Sequence, residues 1–346
     1  MDLRFLRELY ELPPPFASVY LATERDTEDA KEAVAVRWRH AADELAAAGA
    51  GRDTIAAIEE IALRPGGAPP GTVIFAADAQ VVYSEALPVP PHDTAATWGP
   101  LPDALPFLLA RAEPVPHVKI LVDRTGADIV ARGDRQATFD VRGRGWPIKK
   151  VREGGWSEQR YQRSAVETWR ENAKQVAEVV REAADEVQAE LIIIGGDVRS
   201  RELLLERLGE PLENRAVVAE HGARGAESRQ WEAEVRRLLR RRPEDRKQAR
   251  IDAFHAGSSR GTAVQGLGPV AEVLQDGRVD TLLVTGEPPG ELSFGGPADR
   301  LGLADAGRWR AGAVLVRAAV LTDAELEPID PGRLDLHDQI GALLRF

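Results

Sequence analysis

The first third of the chain alternates between helical and extended patterns of apolar residues. Apolar positions recur at helical spacing over 27–48, a pair of glycines interrupts them, and the spacing resumes over 54–63. This predicts two consecutive helices. Residues 71–87 hold two short apolar runs around a polar turn near Asp78, which predicts a β-hairpin. Six prolines between 88 and 106 then predict a boundary between domains.

The middle third begins with strands and continues with helices. Two apolar runs flank Thr125-Gly126, a turn signal, and a long amphipathic stretch follows later. The wholly apolar run after that stretch is typical of a strand covered on both faces. In chain order the patterns predict a hairpin over 118–131, a long helix over 164–189 and a buried strand over 191–194. A short helix over 200–208, with Ser200 near its start as a cap, a possible strand over 217–218 and a charged helix over 228–242 follow.

The last third predicts a helix over 269–275, a strand over 279–285 and a further strand over 313–321. Strands and helices alternate through much of the chain, which indicates an α/β (α+β) fold. Its 346 residues exceed what one ordinary core holds, so several domains are expected. The predicted division is 1–112, 113–252 and 253–346.

Composition narrows the class of protein. The chain has no cysteine, which excludes disulfides and thiolate metal sites. The first residues lack the layout of a secretory signal, and no apolar run approaches the roughly 20 residues that cross a bilayer. A cytoplasmic protein without membrane partners is therefore expected. The net charge of −11 argues against a protein that coats nucleic acid with its whole surface.

One segment reverses this charge. Residues 142–163 contain seven lysines and arginines but only Glu153 and Glu158, and Trp146, Trp156 and Tyr161 lie among the cations. Cations neutralise phosphates and aromatic faces stack on bases, so the mixture suits irregular or single-stranded RNA. A solvated loop anchored by its tryptophans explains the same composition equally well.

Gly154 and Gly155 lie at the centre of this segment. Adjacent glycines let a partner approach the backbone closely and expose amide groups as donors to an oxyanion or a phosphate. From spacing alone, a simple turn leading into the following helix is the favoured interpretation, because glycine pairs are common.

The run Arg152-Glu153-Gly154-Gly155-Trp156-Ser157-Glu158-Gln159-Arg160-Tyr161, followed by a long helix, resembles the peptidyl-transferase-centre loop of archaeal and eukaryotic class I release factors. The resemblance implies an RNase H-like middle domain and a C-terminal domain with a ribosomal-protein-like α/β fold. The layout is most similar to a bacterial branch of that family, of actinobacterial type, whose relatives include a ribosome hibernation factor of the Balon type.

That resemblance implies a protein that enters the tRNA (A) site and contacts the rRNA of the large subunit, with a translational GTPase as a further expected partner and no cofactor. Its ribosome-contacting residues would be Lys149, Lys150, Arg152, Gly154, Gly155, Trp156, Arg160 and Arg163. Trp156 occupies the position of the family's catalytic glutamine, and an indole has one donor and no acceptor. A hibernation or stress factor is therefore expected rather than a stop-codon terminator. The alternative is a peptidyl-tRNA ester hydrolase acting in ribosome rescue through Gln159.

Other candidate sites are weaker. Asp123, with Asp128 and Asp197, could belong to a metal nuclease, but their spacing does not favour this over a structural role. The six histidines show no spacing typical of metal ligands, so no metal is expected. The arginine-rich run over 236–250 is interleaved with acids and predicts a solvated helix, with a secondary rRNA contact as the alternative.

Overall fold

The computed structural model describes residues 1–23, 30–64, 69–111, 115–133, 136–142, 157–225, 228–295 and 307–346. Side chains at 30–31, 136–142, 157–169 and 294 are outside this description. The chain divides into two units, one formed by Met1–Ala112 with Lys247–Phe346 and the other by Glu113–Arg246.

The N-terminal part of the first unit is a sheet covered on one face by two helices. Its described strands are antiparallel and lie in the order β3-β2-β1-β4. Helices α2 and α3 bury Val34, Trp38, Leu45 and Ile58 against one face of the sheet. The elements are α1 (Arg7–Glu11), β1 (Phe16–Ala22), α2 (Ala30–Ala47), α3 (Arg52–Ala62), β2 (Gly71–Ala77), β3 (Gln80–Leu87), β4 (Ala95–Gly99) and α4 (Leu105–Ala110).

The second unit contains a mixed sheet with helices on both faces. Among the described residues it has five strands in the order β7-β6-β5-β8-β9. Strands β5, β6 and β7 are antiparallel neighbours, whereas β8 and β9 run parallel to β5, as in an RNase H-like sheet. The elements are β5 (His117–Asp123), β6 (Gly126–Arg132), β7 (Gln136–Arg142), α5 (Ser157–Glu186), β8 (Leu191–Gly196), α6 (Val198–Leu208), α7 (Glu210–Glu213), β9 (Ala216–Val218) and the start of α8 (Arg229–Ser258).

The two faces of this sheet are covered by different helices. Apolar residues of α5 and α6, among them Val176, Val180 and Leu204, pack on the face that carries Ile120 and Ile194. The first half of α8 covers the other face through buried residues that include Trp231 and Val235. The run 191–194 is wholly apolar because both of its faces are buried, as its composition predicts.

The C-terminal part of the first unit is also a mixed α/β structure. Its sheet has the order β10-β15-β11-β14, in which β14 alone of these described strands runs parallel to its neighbour β11. The elements are β10 (Ala263–Gln265), α9 (Leu267–Gln275), β11 (Val279–Val284), β12 (Glu291–Phe294), β13 (Gly307–Arg310), α10 (Ala311–Leu321), β14 (Glu325–Pro328) and β15 (Ile340–Leu344).

The two parts of the first unit share a hydrophobic core. Phe75 and Phe107 belong to the same buried cluster as Leu282 and Leu326. The carbonyl of Met1 accepts a hydrogen bond from the amide of Leu326 at 3.0 Å. The mixed α/β class predicted from the sequence is confirmed, and the boundary between the units at 112–113 coincides with a predicted domain boundary. The division into three domains stays a prediction.

The predicted strand over 313–321 is wrong, because these residues form helix α10. Every residue of α10 from Ala311 to Val320 is buried, including Arg317. A segment that is apolar on all sides has no helical period in its hydrophobicity, so its β-branched composition misleads.

Two helix termini also differ from the prediction. The cap of α6 is Asp197, whose Oδ1 accepts from the amide and hydroxyl of Ser200 at 3.1 and 3.0 Å, so Ser200 is the capped residue. Helix α8 continues through Pro243 to Ser258 although the pattern predicts an end at Arg242. Ile251 and Phe254, which follow the proline, are buried, and their packing offsets the lost backbone hydrogen bond.

In the described part of the chain, no helix has both the length and the apolar character needed to cross a membrane.

We expect Ile194→Ala to lower the free energy of unfolding by about 2–5 kcal/mol, because it leaves a cavity where β8 packs under α5 and α6. Urea unfolding followed by circular dichroism measures this. The matched control is Val198→Ala, whose side chain is 59% exposed and whose loss should change the free energy by less than about 0.5 kcal/mol. Equal effects of the two substitutions would contradict this packing.

Candidate functional site

The basic segment predicted to carry function leaves one end of the second unit's sheet. Strand β7 ends at Arg142, which pairs with Gly126 at the turn between β5 and β6. The chain re-enters the described structure at Ser157, the first residue of α5. The predicted site residues Lys149, Lys150, Arg152, Gly154, Gly155 and Trp156 lie outside the described residues, and Gln159, Arg160 and Arg163 are described only as backbone of α5.

Helix α5 is about twice as long as the sheet beneath it. Asn172, fifteen residues into the helix, is buried and donates through Nδ2 to the carbonyl of Arg124 at 3.0 Å, at the same end of the sheet as Arg142. Val187, just beyond the last helical residue, lies beside Gly133 at the opposite end. The stretch between Asn172 and Val187 therefore spans the sheet. The fifteen residues before Asn172 extend about 22 Å beyond it, at about 1.5 Å per residue.

The base of this projection is fixed by a close approach of two strands. Asp197 donates its amide to the carbonyl of Val122 at 2.9 Å, where β8 meets the end of β5. Gly196 has a φ of +113°, and a Cβ there would lie 1.9 Å from the same carbonyl oxygen. Only glycine fits this position, because both the conformation and the space exclude a side chain.

The three candidate nuclease carboxylates all bind protein groups. Asp123 Oδ1 accepts from the amide and hydroxyl of Thr125, each at 2.7 Å. Arg224 lies between two of the acids, with Nε 2.9 Å from Asp128 Oδ1 and Nη1 3.5 Å from Asp123 Oδ1. Asp197 caps α6. Among the described residues no group of carboxylates and histidines is arranged to hold a metal ion.

The pKa of Asp123 reflects these partners. Partial burial by itself would raise the pKa, but the hydrogen bonds from Thr125 and the guanidinium of Arg224 outweigh it and hold the pKa below its usual range. Asp123 is therefore an ionised structural group at neutral pH. It has the character of an anchor for the turn from which β6 begins.

A second carboxylate fixes the loop that carries Arg224. Glu234 on α8 is buried and accepts from the amides of Glu220 and His221 at 3.1 Å each, and from His221 Nδ1 at 3.0 Å. Burial would raise its pKa, yet these donors lower the pKa below its ordinary value. The sequence assigned no role to Arg224 or Glu234. About a hundred residues separate Arg224 from Asp123, and Glu234 lies 13 residues from His221, so no local spacing links either residue to its partner.

The chain matches one protein family and two individual proteins. Residues 116–260 match the model of bacterial archaeo-eukaryotic release factor family 2. Over 366 aligned residues the chain is 30% identical to the uncharacterized protein Rv2629 of Mycobacterium tuberculosis strain H37Rv, covering 99% of this chain and 96% of that protein. The uncharacterized protein MT2704 of strain CDC 1551 matches with the same identity and coverage.

The chain belongs to bacterial archaeo-eukaryotic release factor family 2.

Two solved structures match most of the chain, each with a TM-score below 0.5. A model of ribosome-bound archaeal Pelota and ABCE1 matches with 16% identity, a TM-score of 0.43 and coverage of 99% of this chain and 94% of that chain. Saccharomyces cerevisiae Dom34, described as a translation termination-like factor that interacts with Hbs1, matches with 10% identity, a TM-score of 0.41 and coverage of 80% and 79%.

The residues that match family 2 include the whole of α5, the helix that projects beyond the sheet. The matched residues run from the start of β5 through the basic segment and α5 into the end of α8. The Gly154-Gly155 run therefore lies inside the residues that match the family model. That the protein is of actinobacterial type and is related to Balon-type factors remains a prediction.

Asp123→Asn should lower the thermal midpoint at pH 7, because it removes an ionised partner of Thr125 and Arg224. The folded pKa of Asp123 is lower than the value of about 3.9 in an unfolded chain, so its stabilisation is present above that pH and is lost as the pH falls through the folded pKa. Thermal melts at several pH values should show the gap between variant and wild type closing below about pH 4.

The control for this experiment is Asp185→Asn, an exposed aspartate of the same unit. Its melts should follow the wild type at every pH. A gap for Asp123→Asn that stayed constant down to pH 2 would show that the carboxylate charge is not what stabilises the turn.

Proposed function

We propose that this family 2 protein binds the ribosome and occupies the tRNA (A) site of the large subunit, with residues 143–156 directed towards the peptidyl-transferase centre. The observation that carries this proposal is the length of α5, which extends about 22 Å beyond its sheet and begins next to Gly154-Gly155-Trp156. A rigid helix anchored at Asn172 is a means of carrying a short segment into a deep RNA-lined site.

The charge of the segment fits such a site. Seven lysines and arginines over 142–163 oppose two glutamates in a chain whose net charge is −11. Lys149, Lys150, Arg152, Arg160 and Arg163 would neutralise rRNA phosphates. Gly154 and Gly155 would allow the RNA to approach the backbone, and Trp156 would stack on a base.

Trp156 favours an occupant of the ribosome over a terminator. The indole can donate one hydrogen bond and accept none, so it cannot position a water molecule as a side-chain amide can. We therefore propose a hibernation or stress role, in the cytoplasm, of the kind that a relation to Balon-type factors implies. A translational GTPase is the partner that the family resemblance suggests for delivery.

The double variant Lys149→Ala/Lys150→Ala should weaken ribosome binding by about tenfold or more, because each lost cation gives up one phosphate contact and its released counterion. Co-sedimentation with purified ribosomes at several salt concentrations measures the affinity. Arg39→Ala/Arg52→Ala, which removes two exposed cations of the first unit, is the matched control and should bind as the wild type does.

If neither the wild type nor any variant sedimented with ribosomes, the proposal would be wrong. Equal loss in the two double variants would attribute binding to overall charge and not to the 143–156 segment.

A second candidate function, peptidyl-tRNA ester hydrolysis, depends on Gln159. This residue lies in the first turn of α5, where free backbone amides and the helix dipole favour a developing negative charge. Gln159→Ala should abolish release of labelled peptide from stalled ribosomes under this candidate, while ribosome binding stays unchanged. The occupant proposal instead expects no release above background from the wild type, and Gln162→Ala serves as the neighbouring control.

A further inference from the structure

The first half of α8 presents a row of arginines on its outer face. Arg236, Arg237, Arg240 and Arg241 are all exposed, whereas Trp231 and Val235 are buried against the sheet. Residues at these spacings lie on one side of a helix over about two turns. We call these four residues the arginine face. It belongs entirely to the second unit.

Basic residues further along the same helix have a different role. Arg250 pairs with the buried Glu327 at 2.9 Å, Lys247 with Asp330 at 3.4 Å, and Arg246 with Glu190 at 3.6 Å. Each of these cations pairs with an acid of the unit to which the cation itself belongs. They are accounted for by the fold itself.

The arginine face is not accounted for in this way. Among the described residues, no carboxylate lies within ion-pair distance of Arg236 or Arg240. Arg237 lies 3.4 Å from Glu234, which already accepts hydrogen bonds from the amides of Glu220 and His221. Arg241 is paired with Asp245 at 3.4 Å, but both side chains are more than half exposed, so this pair contributes little.

Arginines at this spacing work against the helix that carries them. Like charges four residues apart destabilise a helix by about 0.2–0.5 kcal/mol per pair. The chain has 56 acidic residues against 45 basic ones, yet it places two such arginine pairs, 236 with 240 and 237 with 241, on one exposed face. The like charges lie close together on one exposed face, and a negatively charged partner would relieve their repulsion.

We propose that the arginine face binds the phosphate backbone of double-stranded RNA. This inference rests on the proposed ribosome binding and adds a second RNA contact on the same unit. Guanidinium groups bind phosphate through paired hydrogen bonds, and regular rows of them suit a backbone of regularly spaced charges.

Side-chain chemistry distinguishes a duplex from a single strand or a protein. The aromatic residues of α8, Trp231 and Phe254, are buried, so the arginine face offers no aromatic ring on which unpaired bases could stack. The apolar residues between these arginines, Leu238 and Leu239, pack against the buried cluster beneath α8, so the face has no apolar centre of the kind found in protein interfaces. Contacts with phosphates alone recognise the shape of a duplex without reading its sequence.

The arginine face has a defined place relative to helix α5 within the unit. Trp231, near the start of α8, packs against Gly195 and Gly222, at the end of the sheet from which α5 projects. The arginine face begins five residues further along α8, about 7 Å from that end at about 1.5 Å per residue. From this end of the sheet α5 therefore extends beyond it, whereas α8 runs back along it as far as Arg246, which pairs with Glu190.

The test compares Arg236→Gln/Arg237→Gln/Arg240→Gln/Arg241→Gln with the matched control Arg39→Gln/Arg52→Gln/Arg199→Gln/Arg207→Gln. The control removes four exposed arginines elsewhere and changes the net charge equally. Binding of the full chain to a labelled RNA duplex of about 20 base pairs, long enough to span the two helical turns of the face, is measured by fluorescence anisotropy at several salt concentrations. Circular dichroism melts verify that both variants are folded.

The expected result is a loss of affinity of about tenfold or more in the arginine-face variant, and a slope of log affinity against log salt that is shallower by about 3 to 4. The control variant should keep both values. Equal loss in both variants, or a wild type that does not bind the duplex, would overturn the proposal. So would an arginine-face variant that binds the duplex as tightly as the wild type does.

Ribosome co-sedimentation separates this inference from the proposed function. If the wild type binds the duplex through the arginine face but not ribosomes, the proposed function fails and the inference stands. If the wild type binds ribosomes and the arginine-face variant binds both ribosomes and duplex equally well, the inference fails and the proposed function stands.

Discussion

The burial of one stripe of α5 against the central sheet is the interaction on which the second unit depends. Val176, Val180 and Ala183 pack on Ile120 and Ile194, and this contact fixes the direction of a helix of 30 residues from its C-terminal half alone. Because a helix is stiff, the position of its far end follows from this packing. The 143–156 segment is therefore joined at one end to β7 and at the other to the start of α5, which lies about 22 Å beyond Asn172.

The charged residues of this unit divide into two sets with different physical roles. One set is neutralised inside the fold: Arg224 joins Asp123 to Asp128, and Glu234 holds the 220–221 backbone. Such groups are costly to leave without partners once they are partly buried, so they stabilise the fold only as pairs. The other set consists of the exposed arginines on the outer side of α8. These arginines, together with the basic composition of residues 142–163, are the groups from which we infer binding to RNA.

The carboxylates at the end of the mixed sheet are bound by groups of the protein itself. The guanidinium of Arg224 lies between Asp123 and Asp128, while Asp197 is used as a helix cap. A cation supplied by the chain itself satisfies the charges that a metal would otherwise satisfy. The sheet also serves as the platform from which α5 projects.

The sequence by itself determined the elements with a clear period and the residues with local partners. The amphipathic stripe of α5, the buried run of β8 and the turn at Gly126 were predictable because their signals lie within a few residues of one another. So was the family, since the Gly154-Gly155 run is contiguous. Only the tertiary structure decided that 311–321 is a helix, that α8 passes through Pro243, and that Arg224 meets Asp123. In each of these cases the deciding contact joins residues far apart in the chain, and local periodicity contains no information about such contacts.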